Sequence, residues 1–111
     1  YDAAFRDIPG VRVPPRNDKI SGVYLLYILF AEDRDALMEH CLSRGVSAKI
    51  HYPIALYLQD ALKFLGHRKG GFPVTDRHVE TMISFPVDQH LERAEMDYVI
   101  EIVRDFYAGR N

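Results

Sequence analysis

The chain has 111 residues, a formal net charge of −2 and a single cysteine. That length fits one domain with a modest core, marginal in stability where a partner surface is missing. Charges of both signs are mixed along the chain with no basic stripe, which argues against a nucleic-acid partner. Cys41 alone cannot form an internal disulfide and fits a reducing, cytoplasmic compartment. The longest apolar run, 23–30, is far too short to span a bilayer, so no membrane association is expected. Asp2, Arg6 and Asp7 interrupt any signal-peptide run at the start. Because the first residue is Tyr1 rather than Met, the expectation is a chain processed or cut from something longer.

In chain order, residues 1–6 read as the tail of a helix, ended by Pro9-Gly10. Val11 and Val13 suit a short strand, stopped by Pro14-Pro15, and the polar stretch 16–22 reads as a loop. The run 23–30, rich in Val, Ile, Tyr and Phe, predicts a central strand covered on at least one face. Asp33 can cap the next helix, where Leu37, Met38, Cys41 and Leu42 recur at helical spacing and Gly45 supplies a stop. Residues 46–50 read as a second strand that ends at His51-Tyr52-Pro53.

The second half is more helical. Residues 56–65 predict a short helix closed by Gly66, and Gly70-Gly71 a flexible turn. A helix follows over 73–83, with Val79, Met82 and Ile83 on its inner side; Phe85-Pro86-Val87 is a brief extended piece. The clearest helix is 92–107, with Met96, Val99, Ile100, Val103 and Tyr107 in one apolar stripe. Strands interleaved with helices give an α/β (α+β) two-layer sandwich, a small antiparallel or mixed sheet with helices on one face.

Candidate chemistry is sparse. His51 and Tyr52 stand where a strand ends before a proline, a place where side chains are fixed by the sheet yet accessible. The bland alternative is a tucked-in histidine beside a packing ring. Tyr57 and Gln59 lie just beyond and could hydrogen-bond a ligand, or could be ordinary surface groups on a helix. None of the five histidines shows compact metal spacing, and Cys41 has no CxxC partner, so no metal site is expected. Cys41 falls on the apolar face of its helix and reads as a core thiol. Asp33-Arg34-Asp35 and Asp76-Arg77-His78 read as solvated helix starts. Lys69-Gly70-Gly71 has neither the length nor the order of a phosphate loop.

An ordered set of segments nevertheless resembles one family. His51-Tyr52-Pro53-Ile54-Ala55-Leu56-Tyr57-Leu58-Gln59 is similar to the HYPxPLHLQ segment of DegT/DnrJ/StrS-type aminotransferases. Leu65-Gly66-His67-Arg68-Lys69-Gly70-Gly71-Phe72-Pro73-Val74 resembles their LGYxxGDFPxAE segment, and Ile83-Ser84-Phe85-Pro86-Val87 their LSLPL. Pro9-Gly10-Val11-Arg12-Val13-Pro14-Pro15 matches PGVxxPP, Val23-Tyr24-Leu25-Leu26-Tyr27-Ile28 matches xxYHLYVI, and the closing helix matches xxYVxxxIxxFY. The chain departs at Tyr57, where His is frequent, at Ala55 for Pro and at Gly71 for Asp, so no particular sugar is assigned.

The resemblance implies that residues 1–111 are the C-terminal small domain of a fold-type I pyridoxal-phosphate (PLP) enzyme, whose large domain would precede Tyr1. Such an enzyme moves an amino group from an amino-acid donor, usually glutamate, to a keto group on a nucleotide-linked sugar. The cofactor is the electron sink while the protein binds and orients. A homodimer is implied, with the active site between domains and at the dimer interface. PLP and the Schiff-base lysine would belong to the large domain, so Lys19, Lys49, Lys63 and Lys69 carry no catalytic expectation and the isolated fragment should be inactive. His51, Tyr52, Tyr57 and Gln59 are the substrate-binding candidates. Two alternatives stay open: a sensing or binding module that reuses the domain, and a sugar dehydratase relative whose upstream lysine is replaced.

Overall fold

The computed structural model describes residues 1–109. Four α-helices are assigned among them: α1 (Asp2–Phe5), α2 (Arg34–Leu42), α3 (Pro73–Thr81) and α4 (Arg93–Ala108). The strands are β1 (Val11–Arg12), β2 (Tyr27–Ala31) and β3 (Met82–Phe85), joined in an antiparallel sheet of order β1-β2-β3. Strand β2 lies at the centre, pairing Val11 with Ala31 on one side and Leu29 with Ile83 on the other.

Alternation along β2 builds two unlike faces. Tyr27, Leu29 and Ala31 are buried; Ile28 and Phe30 between them are half-buried on the opposite face. The first set joins Phe5 of α1, Leu37 and Cys41 of α2, Val99, Ile102 and Val103 of α4, and Ile83 and Phe85 of β3 in one core. Leu29 and Ile83, both 0% exposed, face each other across the ladder, and each contributes about 1.5–3 kcal/mol by leaving water. The expected two-layer α/β arrangement is therefore present, with α1, α2 and α4 on one face of a small sheet. On the outer face His78 of α3 lies 4.5 Å, ring centroid to centroid, from Phe30.

Local chemistry explains the helix ends. Helix α4 opens with a capping box, in which the Glu92 amide donates to the Glu95 carboxylate (2.8 Å) while the Glu92 side chain accepts from the backbone of the first turn. Its buried face is Val99, Ile102 and Val103, so Ile102 joins the stripe expected from spacing. Gly45, at φ +77°, closes α2 as a left-handed cap: the Val46 amide donates to the Cys41 carbonyl and the Gly45 amide to that of Leu42. Asp33 is left-handed itself, at φ 52°, and its side chain makes no cap hydrogen bond to α2, where the sequence suggests one.

Four boundaries differ from the sequence expectation. The apolar run 23–30 is a strand only from Tyr27; Val23 is fully exposed and Leu25 nearly so. The last pair of the ladder joins Tyr27 to Phe85. The strand expected over 46–50 shrinks to one bridge between Lys49 and Ser84; Ser84 turns both backbone groups to that edge, and Pro86, two residues on and facing the same way, has no N–H with which to extend the pairing. The helix expected to reach residue 83 stops at Thr81, and Met82 and Ile83 enter β3, where Ile83 gains Leu29 as a buried partner. The helix expected over 56–65 is two 3₁₀ turns, Leu56–Leu58 and Asp60–Leu65, broken at the extended Gln59. Leu56, Phe64 and Leu65 are exposed there, and an apolar face that packs on nothing cannot stabilise a regular helix. The radius of gyration is 15.6 Å, against about 13 Å for a compact chain of this length.

Candidate functional site

The bridge at Lys49 organises the outer face of the sheet. Lys49 and Ser84 exchange both backbone bonds, N to O at 3.0 Å and 2.8 Å, which adds a short fourth edge beside β3. Ser84 lies between core-facing Ile83 and Phe85, so its side chain falls on the outer face, where it is 2% exposed. His51, two residues beyond Lys49 and on the same face by alternation, places Nδ1 3.0 Å from Ser84 Oγ. Together with Lys49, Leu25, Leu26 and Asp88 these residues line an open cleft of about 280 Å³. The Tyr52 ring stands edge-on to His51, centroids 5.7 Å apart, and is 70% exposed; the peptide between the two residues is cis.

The four substrate-binding candidates thus divide. His51 lines the cleft, and the Tyr52 ring stands exposed beside it. Tyr57 belongs to a separate cluster, in which its hydroxyl donates to Asp76 and its ring lies 4.7 Å from Phe72, which in turn meets His67. The other Asp76 oxygen accepts from the Gly70 amide at 2.9 Å, so one carboxylate ties the Tyr57 turn to the Gly70 loop. Desolvation and the Asp76 carboxylate both push the Tyr57 phenol above its ordinary pKa, which keeps it a donor. Gln59 is exposed between the two 3₁₀ turns.

Sequence reasoning missed three residues here. Ser84 falls between the helix expected to end at residue 83 and the extended piece expected from Phe85, although the alternation of Met82-Ile83-Ser84-Phe85 carries the strand signal. Asp76 is not a solvated helix start but the acceptor of Tyr57. Arg34, read as solvated too, is 10% exposed at its side chain, and it donates to the carbonyls of Val79 and Met82, both at 3.0 Å. It thereby closes the last turn of α3, the electronegative end of a helix.

No group of side chains among the described residues could hold a metal ion. Burial pushes the Cys41 thiol up to about 11, so it stays a protonated core residue. No described helix is long and apolar enough to cross a membrane. The PLP implied by the sequence resemblance does not fit these residues. A Schiff-base lysine must reach the neutral amine, whereas Lys63 is paired to Asp60 at 2.8 Å and Lys69 to Glu80 at 2.9 Å, the latter raising the Lys69 pKa. Lys19 and Lys49 are exposed, without the walls that would exclude water.

Comparison with known proteins places this geometry. The chain is 33% identical over 104 residues to the erythromycin biosynthesis sensory transduction protein EryC1 of Saccharopolyspora erythraea, covering 94% of this chain and 28% of that one. It is 28% identical over 106 residues to a dTDP-3-amino-3,4,6-trideoxy-alpha-D-glucose transaminase of Streptomyces venezuelae, covering 96% of this chain and 28% of the relative. The fold superposes on the crystal structure of DesV from S. venezuelae, solved with a ketimine intermediate, at a TM-score of 0.91 and 27% identity, over 96% of this chain and 29% of that one. The chain thus spans less than a third of the length of these relatives. A family profile matches residues 1–104, the sheet and nearly all of its helical layer, and by that match the chain belongs to the DegT/DnrJ/EryC1/StrS aminotransferase family.

Proposed function

We propose that residues 1–111 are the C-terminal small domain of a PLP-dependent sugar aminotransferase, one that moves an amino group from glutamate to the keto group of a nucleotide-linked sugar. The chemistry belongs to sequence outside this chain, which holds the cofactor and its lysine. The domain covers the substrate with the outer face of its sheet. The observation that carries this reading is the His51 imidazole held beside buried Ser84 in the outer-face cleft, with the Tyr52 ring exposed next to it. Keto-sugars offer hydroxyls and ring faces, which an imidazole and a phenol ring suit. Tyr57, through Asp76, shapes the turn that carries Gln59, and Gln59 stays open to substrate. The whole protein works as a homodimer in the cytoplasm, consistent with the buried thiol of Cys41.

One relative is named for a dTDP-linked 3-amino-trideoxyhexose. The first substrate to assay is therefore the corresponding dTDP-linked 3-keto-hexose, with glutamate as donor and the full-length protein as enzyme. His51→Ala and Tyr52→Ala should lower kcat/KM for the sugar with little change in thermal stability. If both variants melt early yet turn over the sugar normally when cold, the site assignment fails and the family alone remains. A second reading, a sensing module without transamination, is favoured by the name of EryC1 as a sensory transduction protein. Full-length protein that binds the nucleotide sugar but never transfers nitrogen would support it.

A further inference from the structure

Ser84 is buried, at 2% exposure, and the proposed function gives its hydroxyl no role beyond standing beside His51. Its backbone is already satisfied by Lys49 on both sides. What remains is the hydroxyl, which can donate once, and a donor left unmade at 2% exposure is costly. The recorded partner of Ser84 Oγ is His51 Nδ1, at 3.0 Å. Two arrangements of the shared proton are conceivable. In one, Nδ1–H donates to the hydroxyl oxygen; His51 is satisfied, but the hydrogen of Ser84, a residue only 2% exposed, has no protein acceptor. In the other, the hydroxyl donates to a bare Nδ1, and the neutral ring carries its proton on Nε2. Only the second satisfies both residues.

We propose that Ser84 is a positioning residue whose hydroxyl donates to His51 Nδ1 and fixes the ring in the Nε2–H form, so that His51 meets an oxygen of the nucleotide-linked sugar as a hydrogen-bond donor. The inference rests on the reading of the outer-face cleft as the sugar-facing surface. Geometry supports it from two further sides. Ser84 sits on the inner part of the ladder, opposite Ile28, so its hydroxyl is placed by β3 itself rather than by a loop. The Tyr52 ring stands edge-on to the imidazole, centroids 5.7 Å apart. With Nδ1 occupied, Nε2 is the remaining polar atom that His51 offers to the cleft it lines.

The test uses the full-length protein labelled with ¹⁵N-histidine, observed by long-range ¹H–¹⁵N correlation above the histidine titration range, with His51→Gln to assign the signal. The expected wild-type pattern is a bare Nδ1 and a protonated Nε2. Ser84→Ala should replace it with an averaged pattern and lower kcat/KM for the dTDP-linked 3-keto-hexose about tenfold, the size of one lost hydrogen bond. Ser84→Thr keeps a hydroxyl at the same strand position and should restore both the pattern and the rate, which separates positioning from mere folding. A wild-type ring protonated on Nδ1, or a pattern that Ser84→Ala leaves unchanged, overturns the proposal. If His51→Gln turns over the sugar as the wild type does, the cleft reading falls, and the proposed donor role falls with it, even though the tautomer is held by Ser84.

Discussion

Replacing Tyr52 with alanine separates a residue that faces substrate from one that plugs the end of the sheet. A buried aromatic removes about 200 Å² from water, and truncating one in a core costs about 3–5 kcal/mol. Tyr52 is 70% exposed, so only some 30% of its surface, about 60 Å², is covered. At about 25 cal/mol per Å² that is at most about 1.5 kcal/mol. Phe5 is the matched control: it is 0% exposed, and its ring lies 6.0 Å from Phe85 and 6.3 Å from Tyr27. Urea unfolding of the chain, followed by circular dichroism, should show Phe5→Ala losing about 3–5 kcal/mol and Tyr52→Ala less than half of that. Equal losses for the two variants would mean that Tyr52 is a packing ring, and the argument from its exposure would be wrong.

Two further outcomes follow from the side chains that tie distant segments together. The Asp2 carboxylate accepts two bonds from Arg16, both at 2.7 Å, and one from the Tyr27 hydroxyl, and the Arg16 bond leads in holding its pKa down at about 2, against an ordinary 3.8. Because the folded value is the lower one, this stabilisation is complete above about pH 4 and is lost as pH falls toward 2. At a carboxylate roughly one-third exposed it amounts to about 1 kcal/mol after solvent screening, and acid titration of the wild type against Asp2→Asn should show that gap closing below pH 4. Arg34→Ala strips the Val79 and Met82 carbonyls of their shared donor; a loss of about 2–3 kcal/mol is expected in denaturant, and a loss within 0.5 kcal/mol would show that water replaces it freely.

What the sequence made legible was local. The stripe Val99 and Val103, the stop at Gly45 and the turn at Pro9-Gly10 depend on residues a few positions apart, and each appears where spacing puts it. What it concealed depends on partners far away. The apolar run 23–30 looks like a long strand because no local rule shows that its pairing with β3, far along the chain, begins only at Tyr27. The first two residues of β3, Met82 and Ile83, read as the end of a helix because with Val79 they also fit a helical period; only the pairing of Ile83 with Leu29 decides for the strand. The site shows the same division. His51 and Tyr52 could be singled out as the residues ending a strand before a proline, but Ser84, 33 positions away, entered only with the structure. Tyr57 and Gln59 were grouped with them by proximity in sequence, while Asp76, 19 positions on, claims the Tyr57 hydroxyl.

The account's central claim is that this chain covers a reaction carried out by residues outside it. The most direct measurement is borohydride reduction of the full-length protein in the presence of PLP, with the modified lysine located by peptide mass spectrometry. The account predicts one stoichiometric adduct on a lysine outside these 111 residues, and none when the chain alone is treated in the same way. A stoichiometric adduct on Lys19, Lys49, Lys63 or Lys69 would contradict it.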